Sequence, residues 1–138
     1  MSEWWADIES LVFNIVKTRA NKVLKTKYPK IFWTSQIQTI TESQFPCVYI
    51  HMIDSYEIGE DLERLTINGV NVTMQVEAYV NTDQVDANSI MAELVAQLKR
   101  LRFNISGLPT YTSNGNVFRG VVRARRIIAA QDNIDQAP

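Results

Sequence analysis

Apolar residues recur along this chain with two different periods, and the switches between those periods mark out its elements. From Ser2 to about Lys27, Trp5, Ile8, Leu11, Val12, Ile15, Val16 and Val23 fall at three- and four-residue steps. That spacing predicts one amphipathic helix with a single buried stripe. Ser2 is placed to cap it, with Glu3, Asp7 and Glu9 near the positive end of its dipole and Lys22, Lys25 and Lys27 near the negative end. Tyr28-Pro29 stops it. Ile31 to Ile40, Thr- and Gln-rich and loosely alternating, predict an edge strand. After Pro46, the run Cys47 to Ile53 has the β-branched and aromatic content of a well-buried strand, with Val48, Ile50 and Met52 on one face.

The clearest signal follows an acidic, Gly59-containing loop over Glu57 to Glu63. Val70, Val72, Met74, Val76, Ala78 and Val80 alternate with Asn71, Thr73, Gln75, Glu77 and Tyr79. Only a half-buried strand explains a strict two-residue repeat, so one face should be core and the other wet. We read a long strand starting near Leu65, with Asn68-Gly69 as a bulge inside it, because the acidic loop already supplies the reversal. Thr82 or Asp83 then caps a second helix whose stripe is Ala87, Ile90, Met91, Leu94, Leu98 and Leu101. Its last turn is basic at Lys99, Arg100 and Arg102, and Gly107 and Pro109 close that segment. Asn114-Gly115 signals a hairpin into a last strand from about Asn116 to Ile128, and residues 131–138 are expected to form a flexible tail. The order helix, three strands, helix, two strands predicts a single α+β domain over residues 1–130. Its largely antiparallel sheet of about five strands carries both helices on one face and leaves the other free for partners.

A length of 138 residues fits one domain, and the ordinary apolar content rules out wholesale disorder. The first residues lack the basic start of a secretory signal and no apolar run approaches a membrane span, so a protein working in solution is expected. Charge is more informative. A net charge of −1 divides by segment into roughly +3 for residues 1–30, −9 for 31–96 and +5 for 97–138. Segregation of this kind suits a subunit whose basic part meets its neighbour's acidic part. A pI of 5.8 weighs against a general nucleic-acid binder.

Candidate chemistry is sparse. His51 is the one histidine, and Cys47 on the same strand face is four residues away, about 13 Å along a strand and too far to share a proton. Cys47 is expected to be a buried, inert thiol. Asp54, Glu57, Glu60, Asp61 and Glu63 lack the alternating pattern of a calcium loop, and the scattered glycines form no phosphate-cradling loop. These features predict no enzyme, metal site or cofactor. Arg119, Arg123 and Arg125 share one face of the last strand, with Arg126 on the other, and form a basic stripe. That stripe is read as solvated surface, as a subunit interface or as a wall facing nucleic acid.

The layout resembles the tail terminator proteins of long-tailed bacteriophages. The resemblance rests on the near-N-terminal amphipathic helix, the Phe45-Pro46-Cys47-Val48-Tyr49-Ile50 strand, the alternating Asn71 to Val80 strand and the helix ending Leu98-Lys99-Arg100-Leu101-Arg102-Phe103. It covers most of residues 3–128 and is similar also to related tail completion and head–tail joining proteins. What it implies is a structural virion protein assembled in the host bacterial cytoplasm. Such a subunit forms a hexameric ring on the last ring of the tail tube protein, halts tube growth and offers a surface to the head connector. Genomic DNA would cross the lumen without specific binding. On this reading the interface is the acidic loop of Glu57, Glu60, Asp61 and Glu63. It would dock on the neighbour's Arg119, Arg123 and Arg125 stripe or near its Lys22 and Lys25. A small nucleic-acid-binding module using the basic strand is the alternative.

Overall fold

In the computed structural model, which describes residues 4–36, 45–58, 68–130, 132 and 134, the alternating run is the centre of the sheet. A 3-10 turn, Trp4–Asp7, leads into α1 (Ile8–Lys27), then β1 (Phe32–Thr34), β2 (Cys47–Ile58), β3 (Gly69–Val80) and α2 (Gln84–Arg100). The chain continues through β4 (Asn104–Ile105), β5 (Thr110–Asn114) and β6 (Val117–Ala129). Among the described residues the sheet has six strands in the order β1-β2-β3-β6-β4, with β5 also pairing β6. Every pairing is antiparallel except β1 on β2. The expected α+β class holds, with both helices on one face. The short β4 was not foreseen, and β1 on β2 is the one parallel pairing among the described residues. No helix among the described residues is long and apolar enough to cross a membrane.

Val70, Val72, Met74, Val76, Ala78 and Val80 all point into the core, as their alternation requires. They pack with Val48 and Ile50 of β2 and with Val122, Ala124 and Ile128 of β6 under the helices. The α2 stripe is buried as predicted, and Asp83 is its cap, its carboxylate accepting the backbone N–H of Asp86 at 3.0 Å. For α1 the stripe differs. Ile8, Val12, Val16, Ala20 and Leu24 are buried, whereas Leu11 and Val23 are 44% and 55% exposed. The helix packs through one i, i+4 ridge, which is inclined to its axis, so residues on the flanking rows fall off the contact. Ser2 and Glu3, read as cap and first-turn acid, lie outside the described residues.

Three local devices shape the ends and edges of these elements. The bulge sits in β2 between Met52 and Asp54, and β3 begins at Gly69, with residues 65–67 outside the described set. Beside that bulge the Met52 N–H donates to Glu9 Oε2 at 2.7 Å. A carboxylate from α1 therefore occupies a β2 backbone donor beyond the short β1 partner, which blunts the edge. Helix α2 ends at Arg100, inside the expected Leu98 to Phe103 run. Phe103 N–H bonds the Leu98 carbonyl at 3.0 Å and Arg102 N–H bonds that of Lys99 at 2.9 Å, with Arg102 at φ 67°. This is a Schellman ending with arginine where glycine is usual. The last hairpin turns one residue later than the Asn-Gly pair, because Asn114 and Val117 are paired and Gly115, at φ 63°, takes the first central position.

Arg126, on the face opposite the basic stripe as its alternation requires, is bound within the chain. It lies on the core face, 8% exposed, donating from Nη1 to the Leu101 carbonyl at 2.7 Å and pairing through Nη2 with Asp132 at 3.0 Å. One side chain thus satisfies the end of α2 and holds the segment after β6. Ile134 is itself 5% exposed, so this part of the 131–138 segment is docked on the domain.

Shortening a fully enclosed β3 valine removes two methyl groups and leaves a cavity. Val76→Ala should lower unfolding free energy by about 1–3 kcal/mol in urea titration, whereas Thr73→Ala, on the other face, should stay within about 0.5 kcal/mol.

Candidate assembly surface

The sheet face turned away from the helices is built by Tyr49, His51 and Asp54 of β2, Asn71 to Tyr79 of β3 and Arg119 to Ile127 of β6. Register places Tyr79 beside Arg119, Gln75 beside Arg123 and Thr73 between Asp54 and Arg125. This face was expected to be uniformly wet, yet Glu77 at its centre is only 3% exposed. Its Oε1 accepts from Tyr79 Oη at 2.7 Å and Arg119 Nε at 2.8 Å, and its Oε2 from Gln75 Nε2 at 3.0 Å. A second Arg119 nitrogen, Nη2, completes the ion pair. Arg123 Nε extends the network by donating to Gln75 Oε1 at 2.8 Å.

Burial pushes the Glu77 carboxyl up, but the bonds from Tyr79, Gln75 and Arg119, with the guanidinium charge, outweigh it and hold the group below the usual carboxylate range. Glu77 is thereby committed to structure, with both oxygens engaged. His51 stacks on Tyr49, ring centroids 4.1 Å apart, and its Nδ1 lies 3.9 Å from Glu77 Oε2, beyond hydrogen-bond reach. Cys47 is fully buried, and burial pushes its thiol up to about 11, so little thiolate forms at neutral pH.

The basic stripe is therefore not uniform. Arg119 is neutralised within the chain, Arg123 is exposed with one bond to Gln75, and Arg125 is exposed. Lys22 and Lys25 lie exposed on α1, away from this face. Glu57 is exposed near the end of β2; Glu60, Asp61 and Glu63 lie outside the described residues. The structure thus brings Arg123 and Arg125 together, separates them from Lys22 and Lys25, and removes Arg119 from the set of available cations. Sequence reasoning missed Glu77, whose signal was an acid opposite arginines at matched alternation. It also assigned Lys99 and Arg102 only to the helix dipole. Both line an open cleft of about 550 Å³ with Phe103, Asn104 and Ile105 beside β4.

No family model matches this chain, and no curated protein matches it.

Because the folded Glu77 carboxyl titrates below its unfolded value, the stability it contributes is complete above about pH 4.3 and is lost as pH falls through the lower, folded value. Glu77→Gln should flatten that acid-side loss in urea titrations between about pH 4.5 and 3. Glu77→Ala should cost about 2–4 kcal/mol at pH 7 through the unpaired Arg119 and the lost bonds.

Proposed function

We propose that this chain is a structural subunit that assembles with copies of itself into a ring, of the tail-terminator kind its layout resembles. The observation that carries the reading is the one-sided sheet. Both helices cover one face, while the other is a fixed polar surface organised around Glu77 and flanked by unlike charges on its two edges. A surface whose side chains are already held in place loses little freedom on docking, which favours specific protein contact. In the proposed setting the ring caps the tail tube protein, stops its polymerisation and presents a surface to the head connector. A head–tail joining protein built on the same layout shares this reading. The nucleic-acid alternative is weaker, since one of its three cations is spent on Glu77.

Subunits that close a ring associate to one defined size. Sedimentation velocity of the purified chain at low salt should therefore show a single discrete oligomer that grows at the expense of monomer as concentration rises. A monomer at every concentration, or an open-ended size distribution, contradicts the proposal.

A further inference from the structure

The third of the chain after residue 97 carries seven cations, of which Arg119 and Arg126 are paired internally with Glu77 and Asp132. Among the described residues none of the other five has an ion-pair partner, and three of them share a neighbourhood: Lys99, Arg102 and Arg125. They gather at one edge of the sheet. Lys99 and Arg102 line the cleft with Asn104, and Asn104 stands in register with Arg125. On the opposite side β1 covers β2 only from Cys47 to Tyr49 among the described residues, and further along β2 Asp54 and Glu57 are exposed, the connection to β3 continuing in sequence with Glu60, Asp61 and Glu63. Asp54, Thr73, Arg125 and Asn104 form one row across four strands. Asp54 and the basic patch therefore lie at the same level, three strand spacings or about 14 Å apart, on opposite sides of the sheet. They cannot meet within one molecule, but they meet when two molecules stand side by side.

Arg102 adds a second observation. Its left-handed backbone is the position where glycine ends a helix at least cost, and a side chain there costs on the order of 1 kcal/mol. Helix termination alone therefore does not account for an arginine, placed moreover beside Lys99. The total charge of −1 gives a polyanion no long-range attraction, whereas the chain itself carries the matching acid.

We infer that the Lys99, Arg102 and Asn104 cleft, with Arg125 beside it, receives the acidic β2 edge of a second copy of this chain at Asp54 and Glu57. Subunits are thereby joined β2 edge to β4 edge. The inference rests on the ring reading above and specifies its contact: heterologous, repeated, and displaced from the Arg119 end of the stripe.

Arg102→Gly separates this role from folding, because glycine suits φ 67°. Its thermal midpoint should match or exceed that of the parent while its association weakens. Lys99→Glu with Arg102→Glu should weaken association on the order of a hundredfold by setting like charges together, and Asp54→Lys with Glu57→Lys should do the same. Mixed in equal amounts, the two reversed chains should co-assemble, since each restores the other's charge pairing. If the parent associates and the Lys99/Arg102 reversal associates equally well, the inference falls while the ring proposal stands. If that reversal abolishes binding of a single-stranded oligonucleotide and leaves self-association intact, the cleft's occupant is nucleic acid and the inference is overturned. A parent that stays monomeric removes both.

Discussion

The rest of the structure depends on a carboxylate buried in the middle of a sheet face that has no helical cover. Glu77 draws donors from its own strand, Gln75 and Tyr79, and from β6, Arg119. Removing a charge from water is costly unless such partners are in place, so the arrangement tolerates no alternative register between β3 and β6. A slip of one residue would turn Arg119 toward the helices if β6 moved, or Val76 toward water if β3 moved. The apolar face imposes the same register through the β3 valines. Two unlike faces, one satisfied by packing and the other by hydrogen bonds, therefore specify a single sheet.

The same accounting decides which charges remain to meet a partner. Glu77 takes Arg119, and Asp132 takes Arg126, the latter while capping the end of α2. What is left is sorted by topology. Strand order β1-β2-β3-β6-β4 puts the acidic β2 at one side and the basic β4 region at the other. Sequence charge counts carry the segregation but not its geometry, because acidic β2 and the basic β4 region come to opposite sides only through the β3–β6 pairing. The proposed head-to-tail assembly follows from that sorting. Exposed ion pairs contribute little individually and are screened by salt, so their part in it is orientation more than strength.

Much of the fold was legible because its periods are unambiguous. A two-residue repeat from Val70 to Val80 has one structural meaning, and the Ala87 to Leu101 stripe has another. The hairpin was found within one residue, since either placement of Gly115 provides the positive φ a tight turn needs. What was not legible depends on neighbours distant in sequence. Alternation alone places Glu77 in water; its burial requires knowing that Arg119 lies on the adjacent strand. The α1 sequence offers more apolar residues than one ridge can bury, so the choice of Ala20 and Leu24 over Leu11 and Val23 belongs to the helix crossing. Helix α2 ends on a left-handed arginine where glycine is usual, which hid both the cap and the cleft beside it. The bulge between Met52 and Asp54, where Glu9 reaches the edge, has no sequence signal of its own, while the strand leading into the Asn-Gly pair lies outside the described residues.

The most direct test of side-by-side assembly is a site-directed disulfide between the two ends of the Asp54–Asn104 row. In a chain carrying Asp54→Cys and Asn104→Cys, the new thiols are too far apart to join within one molecule, and buried Cys47 does not compete. Mild oxidation followed by non-reducing electrophoresis should give a ladder of covalent oligomers that collapses onto one closed species. Monomers alone, or dimers with no higher rungs, would contradict the account.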